Sequence, residues 1–411
     1  MKHLGLQSEI ILWLAMLRLL GKTASAEFLT RGFLWARVLI LGAFMPLEEY
    51  GYIMILLAFE GLLSSISSYP SIKDILVRQD IAFAEFIRLS IFFGIIAIPF
   101  ILFFIFFYDA HPLQIFAVIL ASYISSFSQV GLYMLRVTDL TVHNRTKLTW
   151  SILTTFVFLS LLPIHWAFLP VIYMVGAVPV LFAVANAIRT NTVTPAFEAS
   201  QSYFLRGSAI YGMQALIVSF PQHGVRLFIA ATMTLADVAI YTQTYMLATA
   251  LFFVYSALMI VFEPRLSRST HNQIVDSHYR LAFKLAMTFF VLAGVHFSVV
   301  YMTYESRIFY IFIPLQSALY FDLFSTLMIF IALNGIQTIL NCLVLALSGR
   351  AVSLLSSLLG FITLFIGLYL LVANPDLISI GIVIAVSQAT ILLPLILFLV
   401  YVSINSSRGF K

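Results

Sequence analysis

Two arginines of this chain, Arg37 and Arg226, lie deep inside long apolar stretches. A guanidinium near the centre of a bilayer costs about 2.5–3.5 kcal/mol, so it is kept only where it faces protein or a water-filled cavity. Guanidinium groups bind phosphate and carboxylate through paired, charge-assisted hydrogen bonds. Each arginine is therefore a candidate for binding an anion within the membrane.

Arg37 has a possible acidic partner in Glu60. Arg37 lies eight residues before Met45, where its stretch ends, and Glu60 lies nine residues after Gly51, where the next begins. At 1.5 Å per helical residue both would be about 12–14 Å deep, so adjacent antiparallel helices can bring them together. Two interpretations stay open: a fixed ion pair that locks two helices, or a carboxylate that takes up a proton and releases Arg37 during ion coupling.

Arg226 has no acid at its own depth. The residue 188 positions after Glu60 is Ala248, which carries no charge, and Asp322 is shallower than Arg226 by roughly 7 Å. Arg226 is thus free, on sequence grounds, to bind an anionic ligand.

The residues before Arg226 predict a kinked and polar stretch of helix, since Pro221, Gln222, His223 and Gly224 follow one another. We expect Gln222 and His223 to bind substrate together with both arginines. Two roles stay open for Arg226: it binds a phosphate or pyrophosphate, or it bonds to backbone carbonyls freed by the proline.

Other polar residues in apolar stretches are less specific. Tyr211, Tyr241 and Tyr245 are candidates to stack on sugar rings, and Tyr241 is included among the substrate-binding residues. The remaining groups either line a cavity or form inter-helix hydrogen bonds worth about 0.6 kcal/mol each; they are Gln214, Gln243, His296, Asn334, Gln337, Asn341 and Gln388. No P-loop and no metal-binding pattern is found, so neither a cofactor nor a metal is expected.

Composition and block length place these residues on membrane-spanning helices. The chain has 411 residues, of which 62% are hydrophobic and 9% charged, against roughly 25% charged in soluble domains. Apolar blocks of about 20 residues without strict alternation predict helices rather than a barrel. Twelve spans are predicted: 28–45, 51–69, 84–107, 113–135, 149–167, 169–188, 207–234, 239–262, 281–303, 319–346, 351–373 and 378–402.

The basic residues predict the orientation. All of them except Arg37, Arg226 and Arg307 fall on one side of these spans, which is the cytoplasmic side by the positive-inside rule. Residues 1–27 imitate a secretory signal, but cleavage after Ala26 would tend to invert this pattern. We therefore expect an interfacial or partly buried helix leading into the first span, with both termini cytoplasmic.

An internal repeat predicts two lobes. The segment 45–52, at the turn between spans 1 and 2, is echoed by 233–241, at the turn between spans 7 and 8, in the same orientation. Two six-helix lobes related by a pseudo-two-fold axis along the membrane normal are a recurrent transporter plan, with substrate held between them. The predicted parts are an N-terminal segment 1–27, lobes 28–189 and 207–402, a linker 190–206 and a cytoplasmic tail 403–411.

Several segments resemble a known family. Leu41-Gly42 with Pro46–Tyr52, then Ile75–Arg78, Glu263–Ser267 and Leu347–Arg350, resemble motifs of bacterial polysaccharide transporters. Tyr50 stands where that pattern usually has phenylalanine. The resemblance is to the O-antigen flippases of the multidrug/oligosaccharidyl-lipid/polysaccharide exporter superfamily.

The resemblance implies a flippase that moves an undecaprenyl-diphosphate-linked oligosaccharide across the bacterial inner membrane by alternating access, and not an enzyme. The partners that the resemblance implies are the lipid-linked substrate, membrane lipids, a polymerase and a chain-length regulator. Nucleic acid is not expected. Two alternatives stay open: an ion-coupled multidrug exporter of the same superfamily, and a membrane O-antigen polymerase, against which the short outer loops argue.

Overall fold

The structure, a computed structural model, consists of helices joined by short turns in the residues that it describes. Those residues are 2–78, 112–190, 214–215, 217–249, 256, 259–260, 291, 293–299, 301–302, 318–347 and 349–408. The predicted third span, 84–107, and the linker 190–206 except its first residue lie outside them, as does most of the ninth span, 281–303.

Ten α-helices are defined within this part of the chain. Their bounds are α1 (Lys2–Phe44), α2 (Leu47–Arg78), α3 (Pro112–Thr138), α4 (Leu140–Leu161), α5 (Leu169–Arg189), α6 (Val225–Thr232), α7 (Leu235–Ala248), α8 (Ala318–Ala346), α9 (Arg350–Leu371) and α10 (Leu377–Arg408). A 3₁₀ turn, Trp166–Phe168, precedes α5, and a π-helical turn, Phe220–Gly224, precedes α6.

The first helix is longer than the predicted first span. α1 contains no proline and continues without a break across the predicted boundary at 27 and 28, so the N-terminal segment and the first span are one helix. It ends at Phe44 because Pro46 disfavours helical geometry in the residue before it. The interfacial position of 1–27 stays a prediction.

Six of the described helices are long and apolar enough to cross a membrane: Leu47–Tyr69, Pro112–Thr138, Trp166–Arg189, Tyr320–Leu345, Ala351–Leu371 and Leu377–Val402. The fifth predicted span, 149–167, overlaps α4, which begins before it at Leu140 and ends at Leu161. Asp139 caps this helix by accepting hydrogen bonds from the backbone amides of Thr141 (2.8 Å) and Val142 (3.1 Å). The first turns of α4 are polar, so the helix begins before the apolar block.

The helices pack into two groups that correspond to the predicted lobes. In the first, α3 packs between α2 and α5, α4 packs on α5, and α1 packs along α4. In the second, α10 packs against both α8 and α9, and α7 packs on α8. The groups meet mainly where α2 runs along α7.

The two copies of the repeat lie at this meeting point. Each forms a turn between two helices, and Thr234 opens α7 with a capping box in which Asp237 accepts from the backbone amide of Thr234 at 3.0 Å. Gly51, near the start of α2, lies so close to the carbonyl of Leu235 that a Cβ there would collide with it. A glycine at position 51 thus lets the lobes approach backbone to backbone.

Candidate functional site

A cavity of about 260 Å³ lies between the two lobes. Its walls come from α1, α2 and α5 of the first lobe, and from the π turn, α6 and α7 of the second. The residues that line it are Arg31, Arg37, Val38, Met54, Leu57, Glu60, Gly61, Tyr173, Gln222, His223, Arg226, Tyr245, Met246 and Thr249. Five of the six predicted site residues are among them, Tyr241 being the exception.

Glu60 is held by the first lobe rather than by Arg37. It is 5% exposed, and its Oε2 accepts a hydrogen bond of 2.9 Å from the hydroxyl of Tyr173 on α5. Its backbone carbonyl accepts a 3.3 Å bond from Ser122 of α3. Tyr173 had no signal in the sequence that would mark it as part of a site.

The proposed fixed ion pair between Arg37 and Glu60 is not formed. The two side chains face the same cavity and are close enough to interact electrostatically, but they make no direct contact, and Nε of Arg37 has no hydrogen-bond partner. The Arg37 guanidinium instead lies 4.9 Å from the centre of the Phe158 ring. The reason is that α1 packs along α4 and has little contact with α2.

The predicted kink before Arg226 is a π-helical turn. Pro221 lacks an N–H and disrupts the regular hydrogen-bond ladder, and the turn widens over Phe220–Gly224. The Phe220 ring anchors it against Phe361 and Phe365 of α9, at centroid distances of 5.7 and 5.0 Å. The wide turn brings Gln222 and His223 to the cavity wall along with Arg226.

Arg226 is buried without a charged partner. It is 5% exposed, and within the described part of the chain no acid pairs with it and no backbone carbonyl accepts from it, so the alternative of bonding to carbonyls freed by Pro221 is not realised. Its Nε has no hydrogen-bond partner, and its guanidinium lies 5.4 Å from the centre of the Tyr245 ring. Its bonding capacity is thus available to a ligand in the cavity.

His223 connects the two lobes across the cavity. Its imidazole lies against Gly61 of α2 so closely that a Cβ at Gly61 would collide with the ring. Its Nδ1 is buried and has no hydrogen-bond partner. Gly61 was not predicted as a site residue; only its position next to Glu60 hinted at it.

Tyr241 does not line the cavity in this structure, contrary to the expectation that it contacts substrate there. It is fully buried and stacks on Tyr245, with ring centroids 6.0 Å apart and planes inclined by 20°. Because Tyr245 lies one helical turn further along α7, its ring and not that of Tyr241 reaches the wall.

Three of the seven less specific polar residues, Gln214, Asn341 and His296, form inter-helix contacts away from the cavity. Gln214 donates to Ser353 of α9 at 2.6 Å, and Ser353 donates to Asn341 of α8 at 2.5 Å. His296 lies 3.4 Å from the carbonyl of Leu247. These contacts support the interpretation that such groups join helices.

The lobes also touch on the predicted cytoplasmic side. Arg136, at the end of α3, donates to the carbonyls of Met259 at 2.5 Å and Ile260 at 3.2 Å. Arg31 of α1 donates to Ser256 at 3.1 Å. With α2 packed along α7, the described residues thus join the lobes at more than one place around the cavity.

The charges around the cavity favour an anionic ligand. Three guanidinium groups, those of Arg31, Arg37 and Arg226, face a single carboxylate, that of Glu60, among the described lining residues. Within the same described segments, no cluster of His, Cys, Asp or Glu is arranged to hold a metal ion. The site is therefore suited to binding an anion through arginine.

No protein-family model and no curated protein sequence matches this chain. Solved structures do match it in shape. One is an outward-facing multidrug resistance MATE family transporter of the MOP superfamily, with 12% identity, a TM-score of 0.59, and coverage of 92% of this chain and 94% of that one. A mutant of the Vibrio cholerae MATE transporter VcmN has 13% identity, a TM-score of 0.63, and coverage of 92% and 95%. A MATE protein in the straight conformation has 15% identity, a TM-score of 0.61, and coverage of 93% and 94%.

Identities this low establish the fold alone. The predicted fold class is confirmed: this is an all-α, multi-pass membrane protein with about twelve transmembrane helices in two six-helix lobes, and it has the fold of MATE transporters of the MOP superfamily.

Proposed function

We propose that the protein is a flippase that moves an undecaprenyl-diphosphate-linked oligosaccharide across the membrane by alternating access, and that Arg226 binds the diphosphate. The observation that carries this proposal is the guanidinium of Arg226, which is 5% exposed and unpaired in a cavity between two lobes. A buried charge without a partner is strongly unfavourable. A ligand phosphate would supply the missing acceptors.

The other cavity residues suit the same ligand. Arg37 adds a second guanidinium from the opposite lobe, and Gln222 and His223 add neutral hydrogen-bonding groups. Two arginines on opposite walls can each bond to a phosphate in paired geometry. A diphosphate would thus be held by both lobes at once.

The size of the cavity explains which part of the substrate it holds. At about 260 Å³ it falls just below the ~300–1,000 Å³ typical of sites for drug-sized molecules. It has room for a charged head group but not for an oligosaccharide as well. In this conformation the cavity therefore serves the diphosphate, and the sugar requires the lobes to part.

The sequence resemblance to O-antigen flippases and the fold of the MOP superfamily both support transport. The location that follows is the bacterial inner membrane, with both termini cytoplasmic. The partners that follow are membrane lipids, a polymerase and a chain-length regulator that take up the translocated repeat unit. No bond of the substrate is broken in this activity.

A second candidate is an ion-coupled multidrug exporter. Similar folds belong to MATE transporters, one of them described as a multidrug resistance protein, and Oε1 of Glu60 is buried in the cavity without a partner. A carboxylate there would attract a cationic drug. Three guanidinium groups around the same cavity would repel it, so the charges of the described lining residues favour the flippase, whereas the similar folds favour the exporter.

The test is transport by the purified full-length protein in proteoliposomes. One assay follows lipid-linked oligosaccharide by its accessibility to an external lectin, and a parallel assay follows a cationic dye. The flippase predicts that wild type exposes the sugar and that Arg226→Ala, at equal protein level, does not. Dye transport without sugar translocation would instead establish the exporter, and normal translocation by Arg226→Ala would remove Arg226 from the mechanism.

A further inference from the structure

Beyond the cavity, the interface between the lobes contains polar atoms that have no partner. The hydroxyls of Tyr50 and Tyr241 and Oε1 of Gln243 are all buried and form no hydrogen bond. The two tyrosines are 0% exposed and the glutamine 4%. Burying a polar atom unpaired is costly, and native structures avoid it unless the group has another use.

These three residues, which we call the tyrosine strip, lie between opposite lobes. Tyr50 opens α2 in the first lobe, and Tyr241 and Gln243 belong to α7 in the second. A Cβ at Gly42 of α1 would lie 2.5 Å from Nε2 of Gln243 and 3.7 Å from Cε2 of Tyr50, so these two side chains are neighbours across the interface. Separation of the first lobe from α7 would expose the neighbouring groups of Tyr50 and Gln243.

The tyrosine strip is continuous with the cavity. Tyr241 stacks on Tyr245, which lines the cavity wall, and the charge of Arg226 reaches the hydroxyls of both Tyr50 and Tyr241. Arg226 precedes Thr234 by eight residues, about 12 Å along a helix, whereas Tyr50 lies in the first turn of α2. The strip thus leads from Arg226 towards the predicted outer side.

We propose that the tyrosine strip is a second substrate subsite, which binds uncharged hydroxyl groups of a sugar when the lobes part on the outer side; this rests on the proposed function. Phenol groups donate and accept, and the amide does both at separate atoms, so together they match the hydroxyls of a carbohydrate. The strip contains no charge, which separates its ligand from the diphosphate at Arg226. The lipid-linked substrate then has two sites, one for each chemically distinct part.

A purely structural role would leave a different pattern. Tyr173 shows that pattern, because its hydroxyl is also buried but donates to Glu60 at 2.9 Å. The hydroxyls of Tyr50 and Tyr241 contribute no such bond in the closed interface. Removing them should therefore not destabilise this conformation, and should relieve a desolvation cost.

The first experiment compares Tyr50→Phe, Tyr241→Phe and the double variant with wild type in the proteoliposome assay. Each single change is expected to lower translocation of the lipid-linked oligosaccharide about fivefold, as loss of one substrate hydrogen bond would, while the apparent Tm stays equal or rises. Binding of undecaprenyl diphosphate without sugar is expected to stay unchanged. Tyr369→Phe, which removes a hydroxyl from the exposed face of α9, is the matched control.

Three results would overturn the proposal. If wild type transports the sugar and the double variant does so equally well, the tyrosine strip is not a substrate subsite. The proposed flippase activity is then unaffected. A lowered Tm that accounts for the lost transport assigns the hydroxyls a structural role. Failure of wild type to transport the sugar removes both proposals together.

A second experiment tests exposure without depending on substrate. Gln243→Cys is made in a Cys342→Ser background, because Cys342 is the one native cysteine. A membrane-impermeant maleimide added outside intact cells is expected to label it, and not Leu327→Cys in the core of the second lobe, where the native side chain is 0% exposed. Absence of labelling at position 243 would show that the strip never opens outward.

Discussion

The two lobes present corresponding spans of the repeat to one cavity, but with different local structure. Arg37 lies on an unbroken helix and faces Glu60 across the cavity, whereas Arg226 follows a π turn and has no acid within the described residues. The counterpart of Glu60 in the second lobe is Ala248. On the cavity wall the first lobe thus offsets part of its positive charge with Glu60, whereas the described part of the second lobe places no acid beside Arg226.

The largest expected difference between the lobes is in ligand binding by the two arginines. Arg226→Ala is expected to weaken binding of undecaprenyl diphosphate about 100-fold, since two charge-assisted bonds of about 1.5 kcal/mol each are lost. Arg37→Ala should weaken it only about tenfold, because Glu60 already offsets part of that charge. Binding to the detergent-solubilised protein is the measurement, with Arg226→Lys as the variant that keeps charge but loses the paired geometry. Equal losses for Arg37→Ala and Arg226→Ala would erase the distinction.

The next prediction concerns the close contact between the lobes at Gly61 and His223. Gly61→Val places methyl groups where the imidazole lies, so the lobes must shift apart at an expected cost of about 1–3 kcal/mol. A lowered apparent Tm measures this. Gly32→Val, at a position with open space around it, is the control, and a similar fall in Tm there would point to helix propensity in place of lobe contact.

Stability is expected to depend on pH through the first lobe. Burial, together with the nearby charge of Lys147, lowers the pKa of His143 to about 3, and its Nδ1 lies 2.8 Å from the carbonyl of Leu132. The folded state therefore resists protonation while the unfolded chain takes up a proton near pH 6.5. Stability contributed by neutral His143 is full above that pH and falls by about 1 kcal/mol between pH 7 and 5.5.

Apparent Tm at several pH values measures this dependence. His143→Leu should flatten the curve over that range, whereas His165→Gln, at an exposed site, should not. A curve that keeps its slope in His143→Leu would assign the pH dependence to other groups.

The smallest expected effect concerns Glu60. Glu60→Gln keeps an acceptor for the Tyr173 hydroxyl but removes the negative charge, so undecaprenyl diphosphate should bind about threefold more tightly. Glu49→Gln, on the exposed first turn of α2, is the control for a general change of charge. Weaker binding in Glu60→Gln would mean that the carboxylate takes part in holding the ligand.

The sequence predicted the features that depend on the spacing and composition of residues along the chain. Twelve apolar blocks, the polar stretch around Pro221 and the burial of Arg226 without an acid all follow from spacing and composition. The meeting of Arg37, Glu60 and Arg226 at one cavity follows from matching depths in a repeat.

The parts that could not be predicted depend on which helices touch. The partner of Glu60 is Tyr173, more than 100 residues away, and no local pattern encodes that pairing. The fixed ion pair was wrong because helices adjacent in sequence, α1 and α2, are poorly packed in space. Tyr241 and Tyr245 share a face of α7, and only the rotation of that helix decides which one reaches the cavity.

The side-chain contacts between α1 and α4 determine which wall of the cavity can move. Four side-chain contacts join these helices along their length: Asn144 with Thr23, Lys147 with Glu27, Ser151 with the carbonyl of Thr30, and Thr155 with the carbonyl of Phe33. At 1.5 Å per residue the 43 residues of α1 form a rod of about 65 Å, twice the thickness of a bilayer core. Turning such a rod would break all four contacts at once. We expect α1 to stay fixed during transport. The opposite wall, in which the π-helical turn Phe220–Gly224 interrupts the helix, is expected to move.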